Sequence, residues 1–310
     1  MATIANLEVF PLCLGGNVFG WSADEAQSFA VLDAYAAAGG NFVDTADVYS
    51  AWVPGHAGGE SEAILGRWCK ARGNRQRIVI ATKVGQHPAH KGLSKASIVA
   101  ACDASLQRLQ SDHIDLYYAH IDDAATPLEE TLAAFDGLVR AGKVRQLAAS
   151  NYTAARLGAA LAIAKRNGLA RYVALQPHYN LMERAGYEGE LAALCARENL
   201  ACVPYFALAK GFLTGKYRPG KKVESVRAQG ASAYLDARGE RVLGVLDELA
   251  ARHETTVAAV ALAWLRAQPA VAAPIASART VEQLRDLLPM ASLRLPADEI
   301  ERLSRASAKT

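Results

Sequence analysis

The chain has 310 residues, 51% of them hydrophobic and 21% charged, and a formal net charge of +3. Acidic and basic residues are interspersed, which excludes both the basic stripe of a nucleic-acid binder and a polybasic membrane anchor. The five cysteines (Cys13, Cys69, Cys102, Cys195, Cys202) are odd in number and lack CxxC spacing, so reduced thiols in a cytoplasmic compartment are expected. No basic segment followed by an apolar core opens the chain, and its alanine-rich stretches are broken too soon by Gly or charge to span a bilayer.

In chain order, residues 7–16 read as a short hairpin or strand entering the glycine-rich turn Gly15-Gly16-Asn17. Residues 24–38 repeat apolar side chains at helical spacing and stop on Gly39-Gly40. A short strand at 41–44 and a helix at 60–71 follow. Residues 77–83 are apolar and β-branched, as in a strand buried on both faces. Helix and strand then alternate: 95–109 with 114–119, 128–141 with 144–150, 154–167 with 172–176, and 187–199 with 201–205. A long polar stretch at 210–239 reads as an extended loop. Helices at 240–252 and 257–267, a strand at 270–275 and a helix at 281–288 complete the series.

The strands counted after the first turn number eight, each followed by a helix or a helix-containing excursion. Such alternation favours a parallel sheet, and its repeat suits a (β/α)₈ barrel better than an open doubly wound sheet. No linker divides the chain, so residues 1–310 are read as one α/β domain: a TIM barrel with an N-terminal hairpin and a long loop after strand seven. In such barrels functional groups lie at the C-terminal strand ends. Asp44, Lys83, His120, Ser150-Asn151, Gln176, Tyr205 and Ser277 all fall there.

Three of these early groups make a chemical set with Tyr49. A lysine closing an apolar strand is costly to bury without a partner, and Asp44 on the neighbouring strand is the natural one. Tyr49 follows five residues later, and a phenol is a poor acid near neutrality unless a nearby cation favours its phenolate. His120 completes a carboxylate, a phenol, an ammonium and an imidazole at one end of the barrel. Each alone has a bland reading: a turn-capping aspartate or a structural histidine. Their joint occurrence at successive strand ends points to proton delivery.

The segments Asp44-Thr-Ala-Asp-Val-Tyr49, Gly59-Glu-Ser-Glu62, Ala81-Thr-Lys83, Ile114-Asp-Leu-Tyr-Tyr-Ala-His120, Gly142-Lys-Val-Arg145, Ser150-Asn-Tyr152, Leu175-Gln-Pro-His-Tyr-Asn-Leu181, Gly211-Phe-Leu-Thr-Gly-Lys-Tyr217 and Ser277-Ala-Arg-Thr280 resemble the aldo-keto reductases, whose barrels bind NADPH without a Rossmann domain. The likeness covers nearly the whole chain and is strongest to the bacterial branch related to potassium-channel β-subunits. It implies an NADP-dependent oxidoreductase reducing a small-molecule aldehyde or ketone, with Tyr49 as general acid, Lys83 and Asp44 lowering its pKa, and His120 orienting the carbonyl. It further implies a monomer or small homo-oligomer that binds neither nucleic acid nor membrane.

The same resemblance places Gly16, Asn17 and Asp44 in the cofactor site. Ser150, Asn151 and Gln176 would bond the nicotinamide carboxamide, and Tyr205 would stack on its ring. Phe206, Ala207, Leu208 and Lys210, with Lys216, would cover the pyrophosphate. Ser277 and Arg279 would hold the 2′-phosphate, with Gln283 and Asp286 around the adenosine. Phe206, Leu287 and Ile121 depart from serine, asparagine and an aromatic residue in many relatives, and Ile121 is expected to reshape the substrate pocket. Neither GxGxxG, GxxxxGK[ST] nor GxSxG occurs at a fitting place. His87-Pro-Ala-His90 has no further ligand spaced to complete a metal site. Two other readings use the same residues: a cofactor-sensing regulatory subunit, and a Schiff-base isomerase or lyase through Lys83.

Overall fold

The computed structural model describes residues 1–309. A hairpin of β1 (Ala2–Ile4) and β2 (Leu7–Val9) precedes eight parallel strands: β3 (Cys13–Gly15), β4 (Phe42–Asp44), β5 (Val79–Val84), β6 (Ile114–Ala119), β7 (Val144–Ser150), β8 (Tyr172–Gln176), β9 (Ala201–Cys202) and β10 (Ile275–Ala276). They pair in chain order, and β10 pairs with β3. Beside β9 the segment leading into β10 closes the cylinder: Cys202 N–H donates to Ala270 O (2.7 Å), Ala272 N–H to Cys202 O (2.9 Å) and Ile275 N–H to Pro204 O (2.9 Å). The fold is therefore the expected (β/α)₈ barrel with an N-terminal hairpin.

The tally of strands needs one correction. Cys13–Gly15, before the glycine turn, is itself the first barrel strand, so seven follow the turn. The hairpin lies upstream of it, and Ile4, Leu7 and Val9 join the apolar residues that fill the barrel interior, among them Phe42, Leu116, Tyr118 and Ala174. A second, larger core packs the outward strand faces against the helices. This division follows from the two-residue period of a strand.

Helices α1 (Glu25–Ala37), α2 (Glu60–Arg72), α3 (Lys95–Leu109), α4 (Leu128–Arg140), α5 (Ala154–Asn167) and α6 (Glu190–Arg197) each follow one strand, α2, α3 and α6 after long loops. Their starts obey local chemistry: Asp24 forms a capping box with Gln27, and Ser94 and Thr153 accept from the amides of Ser97 and Arg156. Helix α6 begins later than its pattern suggests, behind Gly189 with φ 99°. β9 is short because Pro204 has no N–H for the ladder. Pro274 likewise confines β10 to two residues.

The expected long loop after the seventh barrel strand carries two short helical segments, and the two expected helices follow it. The segments are a 3₁₀ turn (Ala209–Thr214) and α7 (Ala228–Ser232), and the helices are α8 (Ala237–Arg252) and α9 (Val257–Arg266). After β10 come α10 (Val281–Leu287) and a helix the sequence pattern did not reveal, α11 (Ala297–Ala306). Glu299 of α11 is buried and binds Arg252 Nη1 (2.9 Å) and His253 Nε2 (2.6 Å), which fixes the helix to α8. Among the described residues no helix is long and apolar enough to cross a membrane.

Candidate active site

Strand alternation decides what points into the top of the barrel. Phe42 and Asp44, Ala81 and Lys83, Ala148 and Ser150, and Ala174 and Gln176 are each two residues apart, so a polar group stands one layer above an apolar interior residue. Lys83 is 0% and Asp44 2% exposed. Lys83 Nζ lies 2.7 Å from Asp44 Oδ2, 2.7 Å from Thr45 O and 2.9 Å from Tyr49 Oη. The Tyr49 hydroxyl donates to Asp44 Oδ2 at 3.1 Å, and Gln176 Nε2 donates to Asp44 Oδ1 at 2.9 Å. Three strands and one loop thus meet on one carboxylate. The His120 ring stands 6.3 Å from the Tyr49 ring, edge on.

The electrostatics differ from the sequence expectation at Tyr49. Burial of its hydroxyl, and then the adjacent Asp44 charge and hydrogen bond, hold the phenol well above its ordinary range. Asp44 Oδ2 is shared between Lys83 and Tyr49, so the carboxylate offsets the ammonium's pull on the resting phenol. Tyr49 lines the cavity, and its hydroxyl lies within hydrogen-bond distance of both Asp44 and Lys83. Burial, and then the Lys83 ammonium, push His120 well below the usual imidazole value and keep it neutral at pH 7. Its Nδ1 is shielded and has no hydrogen-bond partner.

Above this cluster opens a cavity of about 950 Å³, within the range of cofactor sites, roughly 300–1,000 Å³. Asp44, Tyr49 and His120 line it, and Lys83 stands behind them. Ser150, Asn151, Gln176, Tyr205, Phe206, Ala207, Leu208 and Lys210 form one wall. Asn17, Lys216, Ser277, Arg279, Gln283 and Asp286 surround the far end. Gly16 does not face the cavity: its carbonyl accepts from Ser61 Oγ at 2.8 Å, and a Cβ there would meet Ser61 Oγ at 2.9 Å. Its neighbour Gly15 is required by close approach, since a Cβ would lie 2.5 Å from Ser277 Oγ, which donates to Asn17 Oδ1.

Tyr205 is held as a platform. Its hydroxyl donates to Asn151 Oδ1 (2.9 Å), and the His178 ring stacks on it at 5.3 Å with a 17° tilt. Asn151, Phe206 and Lys210 carry φ values of 59°, 52° and 58°. Such left-handed, non-glycine backbone is strained and tends to collect at functional sites. Phe206 adds an aromatic face under two cations, with Lys210 Nζ at 5.9 Å and the Arg227 guanidinium at 5.6 Å. Leu287 lines the cavity, whereas Ile121 is exposed and is not among the residues that line it.

Two groups escaped the sequence reading. Arg227 lines the cavity from within the polar stretch 210–239, where nothing in its neighbours distinguishes it from a solvated arginine. Among the described residues Lys210, Lys216, Arg227 and Arg279 have no carboxylate within salt-bridge distance. Burial, with Arg279 and Arg227 nearby, lowers the Lys216 pKa. Cations that repel one another around a cleft call for an anion.

The second is Asp47, fully buried, with both carboxyl oxygens lacking a hydrogen-bond partner. Burial and the Glu62 charge push its pKa up to about 8, partly opposed by Arg108. A raised folded-state pKa means that stability present below pH 4 is lost as pH climbs toward 8. The Tm of Asp47→Asn relative to the parent protein is therefore expected to rise by several degrees between pH 5 and pH 9. Thermal melts across that range check it, and a constant difference would refute it.

The chain matches the sequence model of the Aldo/keto reductase family over residues 11–308. It is 34% identical to the uncharacterized oxidoreductase YrpG of Bacillus subtilis (strain 168), with 96% of this chain and 92% of that protein aligned. It is 33% identical to protein tas of Escherichia coli (strain K12), over 95% and 93% of the two chains. The norsolorinic acid reductase stcV of Emericella nidulans shares 32% identity over 97% of this chain and 79% of its own. With its barrel and near full-length match, the chain belongs to the aldo/keto reductase family of oxidoreductases.

Proposed function

We propose that the chain reduces an aldehyde or ketone to an alcohol with NADPH, and that Tyr49 delivers the proton to the carbonyl oxygen. The observation that carries this is the Lys83 ammonium 2.9 Å from the Tyr49 hydroxyl, itself anchored at 2.7 Å by buried Asp44. The four unpaired cations and the Tyr205 platform fit a flat ring joined to phosphates. A reduced nicotinamide, when bound, supplies the hydride.

The chain's own residues do the rest. Tyr205 offers its face to the ring, braced by Asn151 and His178. Ser150, Asn151 and Gln176 present hydroxyl and amide groups to the carboxamide. Lys210, Lys216 and Arg227, with the backbone of residues 206–208, cover the pyrophosphate, and Ser277 and Arg279 take the 2′-phosphate. Gln283 and Asp286 border the adenosine. Neutral His120 hydrogen-bonds the carbonyl oxygen beside Tyr49. The resting phenol is a loaded donor, and Lys83 acts as the proton leaves, when a phenolate forms beside a fixed cation.

The family match from 11 to 308 supports reading residues 1–310 as one domain. Five free, buried cysteines support a reducing, cytoplasmic setting. Consumption of NADPH by a panel of aldehydes and ketones tests the reaction; tight NADPH binding with no turnover would favour cofactor sensing instead. For the cofactor, Arg279→Ala is expected to weaken NADPH about 10–100-fold, the worth of a charge-assisted contact, and NADH far less. Equal losses in a fluorescence titration would remove Arg279 from the 2′-phosphate.

A further inference from the structure

The Tyr205 platform is backed by a group that can carry charge. Tyr205 and Phe206 line the cavity and His178 does not, so the imidazole covers Tyr205 from behind. The two rings are nearly parallel (17°) with centroids 5.3 Å apart, an offset stack, and the Phe206 ring meets the imidazole edge on at 5.5 Å. Backbone contacts fix this arrangement. Tyr205 N–H donates to Pro177 O (2.9 Å), His178 and Tyr205 pair as a parallel bridge, and Asn180 Nδ2 donates to Phe206 O (2.9 Å).

The imidazole is neutral near pH 7. Its Nε2 is shielded and has no hydrogen-bond partner among the described residues, so a proton placed there would have no acceptor. Burial pushes its pKa below the ordinary imidazole value; the Glu183 charge opposes this and the Lys210 charge adds to it. Glu183 is held by the Tyr234 hydroxyl at 3.0 Å, and Lys210 and Arg227 both lie over the Phe206 ring. Acid therefore brings a new positive charge to the back of Tyr205. Oxidised nicotinamide is a cation and reduced nicotinamide is not. A tyrosine face attracts a cation through its ring quadrupole, and a second cation behind the same ring opposes the first.

We propose that His178 sets how strongly this site prefers reduced over oxidised nicotinamide, by placing a titratable charge behind the Tyr205 face that receives the ring. This rests on the proposed seating of the nicotinamide on Tyr205. His178 is a positioning residue, because it acts through Tyr205 from outside the cavity. Protonated, it weakens the hold on NADP and leaves NADPH little changed, which favours exchange of spent cofactor for fresh.

Fluorescence titrations of the full chain with NADP and with NADPH, at pH 5 and pH 8, test this. Lys210, Lys216, Arg227 and Arg279 face phosphates that both cofactors carry, so their effects largely cancel in the ratio of the two Kd values. The ratio Kd(NADP)/Kd(NADPH) is expected to rise about tenfold from pH 8 to pH 5, as for two unit charges held apart by one aromatic ring. It should stay within about twofold in His178→Gln, which removes the titrating ring, and in His178→Phe, which keeps an aromatic stack. By reciprocity, proton NMR of the parent protein should place the His178 titration midpoint about one pH unit lower in the NADP complex than in the NADPH complex. Equal midpoints or a flat ratio in the parent would overturn the inference while leaving the cofactor reading intact. A pH-dependent ratio that survives in both variants would also overturn it and assign the effect to His120, the imidazole that lines the cavity. If neither dinucleotide binds, the cofactor reading falls and the inference with it.

Discussion

Tyr49→Phe is expected to lower carbonyl reduction about 10²–10⁴-fold, the usual worth of a positioned general acid. The substitution removes one oxygen and leaves the ring. Asp44 and Lys83 keep their 2.7 Å pair, and Gln176 keeps its bond to Asp44, so the framework around the missing hydroxyl stays satisfied. The loss should therefore fall on kcat, with NADPH bound as in the parent protein. Steady-state rates and a fluorescence titration of NADPH check both parts. Turnover within a few-fold of the parent would show that another group supplies the proton.

Lys83→Met is expected to cost both fold and function. It leaves Asp44 buried with its charge unpaired, and breaking one side of a buried pair costs about 3–5 kcal/mol. Asp44 retains Gln176 and Tyr49 as donors, but neither carries a positive charge. The double variant Asp44→Asn, Lys83→Met removes both charges and should recover much of the stability, because buried pairs often roughly match neutral residues of similar volume. Activity should not return with it, since the cation that stabilises the departing proton's phenolate is gone. Urea unfolding of the two single variants and the double variant measures the coupling. Additive losses would show that Lys83 and Asp44 act independently, against the geometry.

The barrel was legible because its signals are local and repeated. Buried parallel strands such as Ile114–Ala119 are apolar runs broken only by one buried carboxylate, Asp115, and helices such as Lys95–Leu109 carry side-chain caps at their starts. The tetrad was legible because a lysine at the end of an apolar strand demands a carboxylate, and Asp44 stood at the end of the neighbouring strand. Short strands were harder. Cys13–Gly15 and Ile275–Ala276 hold their places by pairing with each other, a contact between the two ends of the chain that no window of sequence displays. α11 depends on Glu299 reaching Arg252 and His253, again a distant partnership.

The site's electrostatics were the least readable. Charge types along the chain suggested a phenol drawn down by lysine, but burial of the hydroxyl, and then the Asp44 carboxylate it shares with Lys83, raises the resting phenol instead. Nothing in the sequence singles out Arg227, and Asp47 sits inside the Asp44–Tyr49 segment without any sign of its burial. One becomes notable only by facing a cleft with other cations, and the other only by being buried without a partner.

Reduction with NADPH deuterated at nicotinamide C4 reaches the central claim most directly. The account predicts alcohol carrying deuterium on the former carbonyl carbon, with the hydroxyl proton drawn from solvent through Tyr49. Hydrogen from water on that carbon, or no alcohol from any carbonyl offered, would contradict it.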